Sequence, residues 1–471
     1  MYTMKYQLLT LSLIILTIIS CKNDDNYIDI QTPLDGYIDG EELLTGALGV
    51  NSTSGNAFGF EIDGLSFQEQ AKFATGNSLF NQTWVSAPAS TTARDGLGPT
   101  FNARACANCH FKDGRGQPLV NGQNSSGFLM RVSLNGQDVN GDAIPVPGYG
   151  LQLQDLANNG IQYETKVIVN YQTIEGTYPD GTTYQLQKPI YTFQDEQFGS
   201  LDGVNTSPRI GQQTIGLGLI SALPDIEITK FEDINDSDND GISGRANFVY
   251  NYETNTTEVG KYGWKANAPT LKQQVAGAFH GDMGLTTTIF SEQNCPSPQQ
   301  DCFDAPNGGA PEVTDDQLDK VVFYQAHLAV PNRRNYLDED VIQGRILFDE
   351  LNCIACHAIN QTTGTEAESE FLKNVTIKPY SDFLLHDMGD DLADNRDDFN
   401  ANGNEWRTQP LWGIGLIETV NNHTNLLHDG RARNIEEAIL WHGGEAETIK
   451  QNFKNLSAEK RQQLIDFVNS L

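Results

Sequence analysis

Two short runs, Cys106-Ala107-Asn108-Cys109-His110 and Cys353-Ile354-Ala355-Cys356-His357, constrain this chain more than any other feature. Each is the attachment signature of a c-type haem: the two thiols add across the porphyrin vinyl groups, and the adjacent His becomes the proximal iron ligand. With 7 Cys and 8 His in 471 residues, random order gives ~0.002 such motifs. A Cys-x-x-Cys pair alone also suits zinc or a redox dithiol, but only haem attachment requires the His directly after the second Cys. Two covalent haems are therefore expected, held by Cys106, Cys109, Cys353 and Cys356, with His110 and His357 on the irons.

The first residues address the chain for export. Lys5 precedes an apolar run, Leu8 to Ile19, that is too short to span a bilayer as a mature helix. Ile18-Ile19-Ser20-Cys21 resembles a bacterial lipoprotein cleavage box, with Cys21 as the acylated residue and Lys22 to Asn26 as a polar tether. An ordinary secretion signal with a spare cysteine is the competing reading. Both place the chain outside the cytoplasm, where c-type haem is attached: facing the periplasm, or on the outer membrane or cell surface. Four cysteines for haem and one for lipid leave Cys295 and Cys302, which in an oxidising compartment predict a local disulfide.

The mature part, about 450 residues, has room for roughly three domain-sized units. A formal charge of −32 argues against nucleic acid and suits a cationic electron donor, a basic cytochrome or another redox protein; the acidic residues also serve as a solvated face. The chain is built on a repeated plan. Gly76-x-x-Leu79-Phe80 precedes the first haem motif and Gly344-x-x-Leu347-Phe348 the second. Helices are predicted over 66–80, with a Ser66/Glu69 capping box, and over 314–330, 338–351 and 457–471. Between the first motif and residue 250 the period changes. Residues 166–170 and 182–193 alternate and are rich in Val, Ile, Thr and Tyr, with Tyr178-Pro179-Asp180-Gly181 as the turn. This predicts a β-rich insertion near 115–250. The expected division is a signal over 1–20, a tether and N-terminal segment over 21–60, a first haem unit over 61–335 and a second over 336–471.

Several longer patterns resemble the bacterial dihaem oxidoreductases, a family related to the dihaem cytochrome c peroxidases and to the methylamine dehydrogenase maturation enzyme. The carriers in the first half are Asp95-Gly96-Leu97-Gly98-Pro99, Gly263-Trp264-Lys265-Ala266-Asn267-Ala268-Pro269-Thr270 and Gly281-Asp282-Met283-Gly284. In the second half they are His386-Asp387-Met388-Gly389, Trp406 to Trp412, and His428-Asp429-Gly430-Arg431-Ala432 through His442-Gly443-Gly444-Glu445-Ala446. The resemblance covers almost all of the mature chain. It implies an all-α pair of cytochrome c-like haem domains and peroxidase-type redox chemistry on peroxide or a small substrate; with the β-rich insertion carried by the first, the expected fold is mainly α.

Distal ligands decide that chemistry, because a six-coordinate haem passes electrons whereas an open position activates peroxide. Met388, with His386 as its rival, is the candidate sixth ligand of the second haem, and Met283 of the first. Lys265 stands where related peroxidases carry a displaceable His; a solvated surface lysine is the competing reading. His428, Arg431, Glu437, His442 and Glu445 form the densest set of acid, base and cation candidates. In the related peroxidases the matching segment follows the first haem, whereas here it follows the second, so the catalytic haem stays open. Asp236, Asp238 and Asp240, followed by Gly241, have the spacing of a calcium loop, although position twelve is Asn247 rather than Glu. The leading function is an exported, lipid-anchored dihaem oxidoreductase in which one haem collects electrons and the other reacts; the alternative is a dihaem electron carrier.

Overall fold

The repeated Gly-x-x-Leu-Phe runs mark two copies of one helical crossing. The computed structural model describes residues 36–123 and 127–471, so the signal, Cys21 and the tether lie outside the described residues. Helix Phe67–Asn81 packs on helix Asp315–Ala326, and helix Glu339–Glu350 on the terminal helix Ala458–Ser470. Gly76 and Gly344 are the contact points: a Cβ would lie 2.1 Å from the Lys320 carbonyl oxygen at Gly76 and 1.9 Å from that of Gln463 at Gly344. Only a residue without a side chain lets the helices come so close. Four residues on, the buried rings of Phe80 and Phe348 lie 6.2 and 6.1 Å from the imidazoles of His110 and His357. Each crossing thus sets the position of one motif histidine.

Local chemistry explains the helix boundaries. Ser66 accepts from the Glu69 N–H, and the Glu69 carboxylate accepts from the Ser66 N–H at 2.8 Å, which closes the predicted capping box. Thr314 and Gln317 repeat the device. That helix stops at Ala326 rather than near Pro331. His327 turns its ring Nδ1 onto the Phe323 carbonyl at 2.8 Å, and the chain then runs extended, bridging Leu328 to Glu61 and Pro331 to Val50. Tertiary pairing with the N-terminal segment outweighs the helical pattern there.

The expectation of a mainly α protein is corrected. The chain is only 28% helical with 18% strand, in twelve helices and several small sheets among the described residues. The reason is physical: regular helices cover the crossings, while long stretches such as 351–434 are held by short ladders and by side chains bonded to backbone. Gln361 donates to the Ser381 carbonyl and Ser381 to that of Thr408, at 2.6 and 2.7 Å. The β region contains the antiparallel hairpin Lys166–Thr177 with Thr183–Gln194, longer than its sequence pattern, and a sheet ordered Ala143–Ile144, Phe128–Gln137, Asn205–Ile210. The hairpin tip reaches the last helices: Tyr178 donates to Glu436 at 2.7 Å, and Arg461 pairs with Asp180 at 2.7 Å.

Early and late parts of the chain are interleaved. Glu41 pairs with Arg333 and Arg345 at 2.8 and 2.9 Å, and Asn421 accepts from the Arg115 N–H at 3.0 Å. Trp264 donates its indole N–H to the Ile210 carbonyl, while its own carbonyl accepts from the Arg407 N–H. Among the described residues no helix is long and apolar enough to cross a membrane.

Candidate functional site

Each Cys-x-x-Cys-His run opens into its own cavity. The first, about 1410 Å³ with its open mouth included, is lined by Cys106, Cys109 and His110; the second, about 1370 Å³, by Cys353, Cys356 and His357. They share a wall, since Arg115, Trp264, Arg407, Gln409 and Pro410 line both. The first cavity is otherwise rich in arginine and amide groups, including Arg131, Arg209, Asn267 and Gln274, whereas Leu392, Leu426, Ile435, Ile439 and Leu464 make the second apolar.

The motif histidines are prepared as metal ligands. His110 Nδ1 lies 2.5 Å from the Gln212 carbonyl oxygen and His357 Nδ1 lies 2.9 Å from that of Tyr380. A carbonyl only accepts, so Nδ1 carries the proton and Nε2 keeps the lone pair that binds a metal. Burial lowers the pKa of both rings, to about 4 at His357, so both are neutral. The four motif thiols are not joined in disulfides, and burial pushes Cys106 and Cys353 up to about 12. Two thiols and one neutral imidazole around a large cavity fit a haem in each place.

Two further imidazoles repeat the arrangement on the second cavity. His442 Nδ1 lies 2.6 Å from the Ala438 carbonyl oxygen and His428 Nδ1 lies 2.8 Å from that of Pro208. The buried Nε2 of His428 has no hydrogen-bond partner, and its ring stacks on Trp406 at 4.0 Å. Burial keeps both rings neutral. His442 and His357 line the same cavity. Met388 lines the same cavity, and the buried Met283 lines the first. On the first cavity, His110 is the only histidine among the lining residues.

Other expected site residues are committed elsewhere. His386 lines the second cavity, but its Nε2 lies 2.8 Å from Asp382 and its Nδ1 2.7 Å from Glu445, so neither nitrogen is left for iron. Burial opposes charge on this ring, yet the Cys356 sulfur and Asp382 hold its pKa well above the ordinary value. With Cys356 in a thioether the sulfur would carry no charge, and the carboxylates alone would act. Glu445 also accepts from the Ser243 N–H and hydroxyl. Arg431 pairs with Asp429, Glu437 with Arg433, and none of Arg431, Glu437 and Glu445 lines either cavity. The expected acid–base cluster therefore does not converge; His428 and His442 reach the second cavity without it. Lys265 is no surface residue: it is fully buried and donates to Asp394 Oδ1 at 2.7 Å and to the Arg396 and Asn402 carbonyls at 2.8 Å.

Away from the cavities, the carboxylates of Asp236, Asp238 and Asp240 lie within 4.8 Å of one another. Asn247 is buried and bonded to the Lys265 and Asp398 carbonyls, so it does not complete this loop. Cys295 and Cys302 form a disulfide. Sequence reading missed the role of Arg115. A single charged residue in Gly114-Arg115-Gly116 carries no periodic signal, and its importance rests on partners near 264 and 407.

A family model described as "Di-haem oxidoreductase, putative peroxidase" matches residues 44–471, nearly the whole chain. No curated protein matches it.

Proposed function

The chain belongs to the di-haem oxidoreductase family, and from that premise we propose an exported, lipid-anchored enzyme of peroxidase type that holds its haems through the four motif cysteines. Cys106 and Cys109 would attach one haem and Cys353 and Cys356 the other, with His110 and His357 as proximal ligands. Bound there, the haems would supply one-electron iron couples and the chemistry to reduce peroxide or oxidise a small substrate.

The unequal supply of imidazoles carries the division of labour. On the second cavity His442, fixed by the Ala438 carbonyl, would present Nε2 as the sixth ligand, with Met388 as its competitor. The surrounding leucines and isoleucines would exclude water there, which suits the collection of electrons. The first cavity has no second histidine among its lining residues, and its arginines and amides suit a reacting ligand. Arg131 would favour negative charge on a ligand held in this cavity, whereas Arg209 is already paired with Asp398. The net charge of −32 supports a cationic electron donor. Asp236, Asp238 and Asp240 would hold a calcium ion in a structural role.

A buried Met283 on the first cavity favours the second reading, an electron carrier with both irons six-coordinate. Optical and EPR spectra of the ferric holoprotein separate the two. The enzyme reading expects one high-spin, peroxide-reactive haem and one low-spin haem that His442→Ala makes high-spin. Two low-spin haems inert to peroxide in both redox states would establish the carrier, and a low-spin signal lost only in Met388→Ala would move the ligand to Met388.

A further inference from the structure

Two buried guanidiniums face both cavities without a counter-ion. Arg115 and Arg407 are 7% and 6% exposed and line the common wall. Arg115 Nη1 makes one long bond, 3.4 Å to Gln213 Oε1, and its Nε has no partner. Arg407 donates to the Lys261 carbonyl at 2.5 Å and to Gln409 Oε1 at 2.6 Å, and its Nε is likewise unpartnered. Neither forms an ion pair among the described residues, and burial pushes each pKa down to about 10. Other buried arginines behave differently: Arg209 and Arg396 pair with Asp398, and Arg431 with Asp429.

An unpaired buried cation is strongly disfavoured until a counter-charge arrives. Arginine presents its donors in a planar fork that matches a carboxylate. The position of Arg115 is built rather than incidental. Its N–H and carbonyl are bonded to Asn421 and His423, and a Cβ at Gly114 would lie 2.0 Å from Asn421 Oδ1.

We infer that Arg115 and Arg407 form a carboxylate-binding pair in the common wall, which would take a propionate from the haem on each side. This rests on the dihaem reading above. The recognised chemistry is a carboxylate; a small carboxylate solute is the other possible source.

The test uses the holoprotein and its Arg115→Gln, Arg407→Gln and Arg131→Gln variants. Mass spectrometry counts haems, spectroelectrochemical titration gives both midpoint potentials, and resonance Raman follows the propionate bending bands. Removing a cation favours the ferric form, so Arg115→Gln and Arg407→Gln should each lower both potentials and shift the propionate bands. The expected fall is about tenfold in the reduced-to-oxidised ratio, about 59 mV for a one-electron couple. Arg131 lines the first cavity alone, so its variant should move only that haem. Where a glutamine variant does not fold, the lysine variant keeps the charge, and should keep the potentials while shifting the bands. Unmoved bands, or a response confined to one haem in Arg115→Gln and Arg407→Gln, would overturn the inference. Unshifted bands together with potentials that respond to added acetate in the wild type only would assign the pair to a solute instead. Fewer than two haems on the wild-type chain would overturn the dihaem reading and this pairing together, whereas two haems with unmoved bands would overturn the pairing alone.

Discussion

Gly344→Ala tests whether the helical crossing, rather than helix propensity, decides the residue at that position. Alanine is the better helix former by about 1 kcal/mol, so propensity alone predicts a gain. Against it, the new Cβ would stand 1.9 Å from the Gln463 carbonyl oxygen, 2.6 Å from its carbon and 2.8 Å from Phe467 Cβ. Reaching an ordinary contact near 3.4 Å means opening the crossing by about 1.5 Å at backbone that cannot rotate away. A gap of ~0.5–1 Å already forfeits a quarter to a half of a dispersion contact. The strip of Val341, Leu347, Phe348, Leu464, Phe467 and Val468 would therefore loosen. Net destabilisation should be ~3 kcal/mol. Gly277→Ala is the control, since its Cβ would meet only Phe290 at 3.8 Å in the helix Leu271–Met283, and it should stabilise by up to ~1 kcal/mol. Urea unfolding of the two holoprotein variants, followed by circular dichroism, measures the difference. If both variants shift the midpoint in the same direction, the steric account of the repeated glycine is wrong.

Calcium should raise the melting temperature, by a shift equivalent to ~2.7 kcal/mol at a hundredfold excess over Kd, and Asp236→Asn with Asp238→Asn should abolish the response; equal responses would remove the site. Glu164, fully buried, has its pKa raised by burial from 4.5 to about 8, so the native state keeps a proton the unfolded chain has released. Stability should then fall as pH climbs through that window, by at most ~1.4 kcal/mol per unit. Glu164→Gln should gain on the wild type over the same range, and a pH-independent difference would contradict this. Lys265→Met leaves Asp394 without its 2.7 Å partner and should cost ~3–5 kcal/mol; adding Asp394→Asn should recover part of that loss, and simple additivity would show the pair is not coupled.

The crossings were legible because their signals are local. Ser66 and Glu69 sit three apart, and the Gly-x-x-Leu-Phe run occurs twice, each time in the last two turns of a helix. The helix ending at Ala326 was overread because the apolar residues beyond it serve an extended bridge to the N-terminal segment. The fold class was misjudged because family resemblance and flanking periodicity say little about 351–434, where bonds such as Ser381 to Thr408 replace regular ladders. His428 and His442 were legible as chemistry, but not as residues tied to carbonyls of distant or preceding turns. The common wall was invisible for a simpler reason: residues 115, 264 and 407 share no local pattern, and only tertiary folding brings them together.

That wall makes the halves poor candidates for separate life. A fragment ending in the stretch 331–338 would keep the first motif but lack Arg407, Gln409, Pro410 and the Asn421 that seats Arg115. Its porphyrin chamber would be breached on one flank, and the complementary fragment would miss Trp264. The first chamber is therefore complete only once residues 407–421 have folded against Arg115 and Trp264.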